Sequence, residues 1–244
     1  MLHFMLDAYD SVEENTNNVM SVYECLVDVA NKLAIKPVMP PFLVPYYCSS
    51  TTQDNGISAF MLFDGGHITV HTFPYRRCYF ADVLSEEHYS GDDACKAFLS
   101  FFNADIFKTE IFDRNSLDQR INAKPNLMSD FGPHYMITVY DVDMSMESIF
   151  RWLDELAPRI NVKAIARPYV INSTINNSKY ISGILVIAKS HVAVHYNVIE
   201  RRAYIDVFSC VFLDKNQIDT VLNESFAEHY SYKLFVRGEK FHTY

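Results

Sequence analysis

Glycine is scarce in this chain, with seven in 244 residues. The one adjacent pair, Gly65-Gly66, stands between stretches of strand character rather than ahead of a helix. A glycine-rich phosphate loop needs its backbone N–H groups at a helix N-terminus, so that class is excluded. The pair reads instead as a hairpin turn. Cysteine is limited to Cys25, Cys48, Cys78, Cys95 and Cys210, an odd number without a Cys-x-x-Cys pair. That argues against a zinc ribbon or a disulfide framework and for a reducing compartment. The nine histidines show no His-Glu-x-x-His or other ligand spacing, so no metal is expected. No apolar run reaches the roughly 18 residues of a membrane span. The opening Met-Leu-His-Phe, with acids soon after, lacks the basic-then-apolar order of a signal peptide. Positive charge is also in deficit, with 21 Lys and Arg against 30 Asp and Glu and a net charge of −9. Nucleic acid is not expected as a partner, because neutralising phosphates takes a surplus of Lys and Arg. The expectation is a cytoplasmic protein with no membrane partner.

What the chain does have is apolar content and internal repetition. Hydrophobic residues make up 49% and aromatic residues 14%, enough for a sizeable core. Residues 56–85 and 180–209 align without a gap at an offset of 124. His67 matches His191, His71 matches His195, Ser58 matches Ser182 and Asp82 matches Asp206. Chance matches would not share one offset. The starts of the halves match at 131 instead: His3-Phe4-Met5 with His134-Tyr135-Met136, and Tyr9-Asp10 with Tyr140-Asp141. The first copy therefore carries seven extra residues, which the polar, turn-rich stretch Ser49–Asn55 would accommodate.

Each copy carries the same order of elements. An opening strand (about 3–9 and 134–140) precedes a helical stretch (about 15–34 and 145–158), with Val19, Val22, Tyr23, Leu26, Val29 and Ala30 at helical spacing in the first copy. Ile149, Trp152, Leu153 and Leu156 provide the same spacing in the second. Extended segments with period-2 alternation follow, among them Ile68–Val70 and Val192–Val194. A second helix (about 92–102 and 214–227) and a closing strand (about 105–112 and 230–236) complete the unit. The expected fold is α/β (α+β): a four-layer α/β/β/α sandwich built from two repeated βα units, with two isolated domains as the alternative. The division is residues 1–114, a linker at 115–132, and residues 133–244.

The residues able to carry chemistry concentrate in the second copy: Ser182, Ser190-His191, His195 and Cys210. A Ser or His alone in a strand is ordinarily structural, and a lone Cys is ordinarily a buried hydrophobe. Ser190 and His195 lie an odd number of residues apart, so one straight strand would point them to opposite faces. On residue types alone the chain is a duplicated α/β protein with a Ser/His/Cys cluster.

The cluster resembles the bacterial S-adenosylmethionine decarboxylases. In that family a Glu-Ser-His-x-x-x-His-Thr-x-Pro stretch is followed by a Cys after Asp-x-Phe-Thr. The first copy has Gly66-His67-Ile68-Thr69-Val70-His71-Thr72-Phe73-Pro74, and the second has Lys189-Ser190-His191-Val192-Ala193-Val194-His195, then Asp206-Val207-Phe208-Ser209-Cys210. The resemblance covers nearly the whole chain, twice. It implies self-cleavage before Ser190 through an ester, conversion of Ser190 into a pyruvoyl cofactor, and decarboxylation of an amine substrate held as a Schiff base, with the pyruvoyl as electron sink. It implies Cys210 as the proton donor to the product, and Ser58 with His71 as the assisting pair supplied by the other half. Ser182 and His195, with Gly66 and Glu86 in place of the Ser and Cys, would form a degenerate second site, because Gly66 has no hydroxyl. S-adenosylmethionine is the implied substrate, in spermidine formation, by a monomer or homodimer. Phe73, Tyr75, Lys189 and Asp7 are the candidate substrate contacts. Lys189 replaces the family's Glu, and the family's ribose-binding acid falls at Tyr75 and Ile199. Another amino acid substrate, or a non-processing relative that binds a ligand or partner, are the alternatives.

Overall fold

In the computed structural model, residues 1–116, 132–175, 178–188 and 190–238 are described. Lys189 and nearly all of the expected linker lie outside them. The chain divides into two compact units, Met1–Asn115 and Ser116–Tyr244. Among the described residues, no helix is long and apolar enough to cross a membrane.

The first unit runs β1 (Leu2–Tyr9), α1 (Glu13–Thr16), α2 (Val19–Lys32), β2 (Phe42–Tyr46), β3 (Gly56–Phe63), β4 (Gly66–Phe73), β5 (Cys78–Ser85), α3 (Gly91–Phe102) and β6 (Ile106–Asp113). Its strands form one antiparallel sheet in the order β2-β3-β4-β5-β1-β6. The second unit runs β7 (Gly132–Val139), α4 (Met146–Arg159), β8 (Tyr169–Ile175), β9 (Ser178–Ile187), β10 (Ser190–Asn197), β11 (Arg202–Phe208), α5 (Lys215–Phe226) and β12 (Tyr230–Arg237). Its sheet has the equivalent order, β8-β9-β10-β11-β7-β12. The fold is α+β, and the repetition read from the sequence is a repetition of topology.

In each unit the helices cover one face of the sheet. Helix α2 is capped by Asn18, whose side chain accepts from the N–H groups of Met20 and Ser21 at 2.9 and 3.2 Å. It buries Val22, Cys25, Leu26, Val29 and Ala30, the stripe expected of one helical face. These pack with α3 residues Ala94, Ala97 and Phe98 against Phe4, Leu6, Ala59, Met61, Ile68, Val70, Ala81 and Val83. In the second unit α4 starts with a Ser145/Ser148 capping box and buries Ile149, Leu153 and Leu156. It can sit close because β9 has Gly183 beneath it, where a Cβ would lie 2.8 Å from Ile149 Cγ2. The alternate residues of the same strands are buried too, so strands β3, β4, β5, β7 and β10 are buried along both faces.

Two expectations need correction. The helical stretch from residue 15 to 34 is broken: α1 ends at Thr16, and α2 restarts behind the Asn18 cap, because an Asn side chain bonded to two backbone N–H groups begins a helix rather than continuing one. The seven extra residues are also not all in Ser49–Asn55. The positive-φ pair Asp10 and Asp141 keeps the 131 offset, whereas the caps Asn18 and Ser145, and the positive-φ pair Ala34 and Asn161, sit at 127. Four extra residues therefore form the α1 turn, and the remaining three fall between β2, whose register still has the 127 offset, and β3, where the offset becomes 124. The turn between β3 and β4 consists of Asp64 and Gly65, with Gly65 at φ 72°, and Gly66 already belongs to β4.

Tyr89, in the loop before α3, ties the centre of the first sheet together. Its hydroxyl accepts from the Phe4 N–H at 3.1 Å and donates to the Val83 carbonyl at 2.7 Å. Burial pushes its phenol well above the ordinary tyrosine range. Tyr89→Phe strands both backbone groups and is expected to cost about 1–3 kcal/mol in urea denaturation. An unchanged midpoint would show that the loop contributes nothing.

Candidate functional site

The register of each central hairpin sets a serine against a histidine. Ser58 on β3 pairs with His71 on β4, and Ser182 on β9 pairs with His195 on β10. In both cases His Nδ1 lies 2.9 Å from Ser Oγ. All four residues are buried. A hydroxyl bonded to imidazole in a dry environment is the arrangement in which a proton can leave or return to the oxygen.

In the first unit the pair extends into a row across the sheet. Ser58 neighbours His71, His71 neighbours Phe80, Phe80 neighbours Asp7, and Asp7 neighbours Lys108. Three of the expected site residues, Ser58, His71 and Asp7, thus share one row and one face. Phe73, two residues beyond His71, packs edge-on against Phe80 at 5.9 Å, and Tyr9 does so at 6.4 Å. Phe73 is buried, whereas Tyr75 lies in the turn after β4 and is 41% exposed. The structure does not bring Tyr75 into the row. The equivalent row of the second unit reads Ser182, His195, Tyr204, Thr138 and Ser231, with no charged member.

Ser190 opens β10 and is buried. Its Oγ accepts a hydrogen bond from the Cys210 N–H at 2.8 Å. An N–H aimed at a hydroxyl oxygen lowers the cost of negative charge developing there. Cys210 is held by a tight turn after β11: Ser209 Oγ donates to the Val211 carbonyl at 2.9 Å and accepts from the Val211 N–H at 3.1 Å. Strand alternation sets Ser190 with Val192 and Val194 on the helix-covered face and His195 on the other. The Ser190–Cys210 contact and the Ser182–His195 pair are therefore separate within this unit.

The equivalent positions of the first unit are built differently. Glu86 is exposed just after β5. At Gly66 a Cβ would lie 2.0 Å from the Leu84 carbonyl oxygen. The first unit lacks more than a hydroxyl, because its backbone has closed over the space a serine side chain would need.

A second repeated cluster was not read as functional from the sequence. His3 Nε2 lies 3.5 Å from Asp82 Oδ1, and His134 Nε2 lies 3.3 Å from Asp206 Oδ1, all fully buried. His67 and His191 meet His3 and His134 edge-on, at 6.2 and 6.4 Å. Thr69 Oγ1 donates to Asp82 Oδ2 at 3.3 Å. Arg114 Nη1 lies 3.2 Å from His3 Nδ1. Arginine can only donate, so Nδ1 is the acceptor and the ring proton of His3 faces Asp82. Arg237, at the end of β12, holds the equivalent place and lies over Phe208 at 4.6 Å. The signal was present in the sequence: these His and Asp residues are the ones that align the two copies, and charged residues repeated at strand spacing inside apolar segments are buried partners.

A family model described as S-adenosylmethionine decarboxylase matches residues 2–115 and 133–238. No curated protein matches the chain. Among solved structures, the adenosylmethionine decarboxylase of Aquifex aeolicus matches at 16% identity and a TM-score of 0.41, over 50% of this chain and 96% of that one. An unknown protein from Galdieria sulphuraria matches at 9% identity and a TM-score of 0.23, over 98% of this chain and 100% of that one.

Two substitutions test this geometry. Gly66→Ser is expected to cost about 1–3 kcal/mol by overpacking against Leu84, measured by thermal melting. A neutral effect would mean the space is open. Asp206→Ala, which leaves His134 without its carboxylate, is expected to cost on the order of 3 kcal/mol in urea, and a loss below about 1 kcal/mol would contradict a buried, partnered cluster.

Proposed function

The chain belongs to the S-adenosylmethionine decarboxylase family, and we propose that it is a self-processing decarboxylase of S-adenosylmethionine that cuts its backbone between Lys189 and Ser190 and serves spermidine formation. The observation that carries this reading is the environment of Ser190. The one serine at the family's cleavage position has a buried hydroxyl, with a backbone N–H directed at its oxygen and Cys210 as the donor of that N–H.

The residues present fit a pyruvoyl group derived from Ser190. When formed, that group would supply an electron sink for loss of CO₂. The chain's own residues have separable roles. The Cys210 N–H stabilises charge on Ser190 Oγ during self-cleavage, and the Cys210 thiol returns a proton to the product. A Ser–His pair moves protons during processing. Ser58 and His71 are assigned that task, since their row also carries Asp7, an anion suited to the cationic sulfonium of the substrate. Phe73 belongs to the same aromatic cluster. Ser182 and His195 belong to the degenerate set with Gly66 and Glu86.

A second reading keeps the chemistry and changes the substrate. The positions of the family's ribose-binding acid hold Tyr75 and Ile199, both exposed and neither acidic, and Lys189 replaces an acid. That favours a different amino acid in a drifted pocket.

The test is release of labelled CO₂ from carboxyl-labelled S-adenosylmethionine, with ornithine and arginine in parallel. The native chain is expected to be active on one of the three, and Ser190→Ala inactive on all. Cys210→Ala is expected to lose about a hundredfold or more. His71→Ala should block processing, whereas His195→Ala should not. Activity surviving in Ser190→Ala would remove the pyruvoyl mechanism, and equal losses from the two histidine variants would remove the assignment of Ser58 and His71.

A further inference from the structure

The two central hairpins match closely around their Ser–His pairs and then part. In the second unit the β9–β10 ladder continues past Ser182–His195 through Ile181–Tyr196 and Tyr180–Asn197. In the first unit the β3–β4 ladder stops at Ser58–His71. The next rung, Ile57 with Thr72, is made by a side chain. Thr72 Oγ1 accepts from the Ile57 N–H at 3.0 Å and donates to the Ile57 carbonyl at 3.3 Å. Both residues are buried, so the hydroxyl supplies the partners that a buried strand residue requires.

The backbone beyond that rung is shaped to suit. The Thr72 carbonyl turns over Gly56, where a Cβ would lie 1.9 Å from its oxygen. A side chain there would force the strands apart. The second unit has Tyr180 at the equivalent position, and its hydroxyl accepts from Asn197 Nδ2 at 2.9 Å. The second pair is thus enclosed by two backbone rungs and a side-chain clasp. The first pair is the last rung of its ladder, with one hydroxyl beyond it. Strand β4 stays fixed on its other side, since its ladder with β5 runs on through Thr72 and Phe73.

We propose that Thr72 is a positioning residue for self-processing: its hydroxyl closes the β3–β4 ladder beside the Ser58–His71 rung and holds Ser58 Oγ against His71 Nδ1. This rests on the assignment of Ser58 and His71 to proton transfer during processing. In antiparallel strands the N–H and carbonyl of one residue point the same way, and those of its neighbours point oppositely. Those of Ile57 point to β4, so those of Ser58 point to β2. Ser58 and His71 are therefore a non-hydrogen-bonded pair, kept in register by the rungs on either side. One of these is Ala59–Val70, and the other is the Thr72 hydroxyl. Thr72 adjoins His71 in the chain and Ile57 adjoins Ser58, so one hydroxyl fixes both members of the pair. Thr72 itself touches no reacting atom. Its leverage is geometric, because a misplacement of about 1 Å can cost on the order of a hundredfold in rate.

The test is the rate of cutting at Lys189/Ser190, followed by intact mass in the full chain made by cell-free synthesis. Thr72→Val keeps the shape and removes the hydroxyl, and is expected to slow cutting by about tenfold to a hundredfold. Thr72→Ser restores the hydroxyl and should bring the rate back to within about twofold of native. Tyr180→Phe, which breaks the clasp in the second unit, should cut at the native rate. Thr72→Val cutting as fast as native, or Thr72→Ser as slow as Thr72→Val, would overturn the proposal. If circular dichroism shows Thr72→Val unfolded, Thr72→Ala is judged by the same criteria. A native chain that is never cut removes the self-processing reading instead, and Thr72 is then judged in the uncut chain. There the His71 Nδ1 resonance, identified by its absence in His71→Ala, should shift in Thr72→Val and return in Thr72→Ser. The same resonance in all three would overturn the proposal.

Discussion

The central strands are buried along both faces, and the rest of the structure answers to that constraint. One face packs on helices and takes mostly apolar residues, with Ser190 at its margin. The other face carries polar residues and is buried as well, so each of those groups needs a partner within reach. Cross-strand register supplies it: Ser58 meets His71, Ser182 meets His195, and His3 and His134 meet Asp82 and Asp206. The side chains suited to chemistry are also those that make a doubly buried sheet tolerable, which ties function and stability to the same pairs.

Duplication allowed the two units to diverge around that frame. The Ser–His pair and the His–Asp pair are kept in both, consistent with a structural need in each sheet. The reactive positions are not. One unit has Ser190 beside Cys210, and the other has Gly66 pressed against Leu84 with Glu86 exposed. Charge diverged the other way, since Asp7 and Lys108 stand where Thr138 and Ser231 do in the partner row. The copy without the cleavage serine is the one with the charged row.

Much of the fold was legible in the sequence because the same alternation and helical spacing occur twice, and a shared offset is hard to produce by chance. The Ser–His pairing was also within reach. Ser58 lies six residues before Asp64 and His71 six after Gly65, so a two-residue turn there fixes them opposite each other. What was missed has a common cause. The break before α2 and the placement of the extra residues depend on caps and on positive φ angles at Ala34 and Asn161, unlike residues in like conformations, which leave no shared letter to align. The collision at Gly66 depends on how close a neighbouring backbone comes, which a sequence does not encode locally.

The central claim is that Ser190 is a cofactor precursor, and the most direct measurement of it is the intact mass of the purified protein under denaturing conditions. The account predicts two fragments meeting at Lys189/Ser190, with the C-terminal fragment beginning in a pyruvoyl group rather than serine, and a single uncut species for Ser190→Ala. A native chain that stays whole after prolonged incubation with a polyamine such as putrescine would contradict it and leave a ligand-binding relative of the decarboxylases in its place.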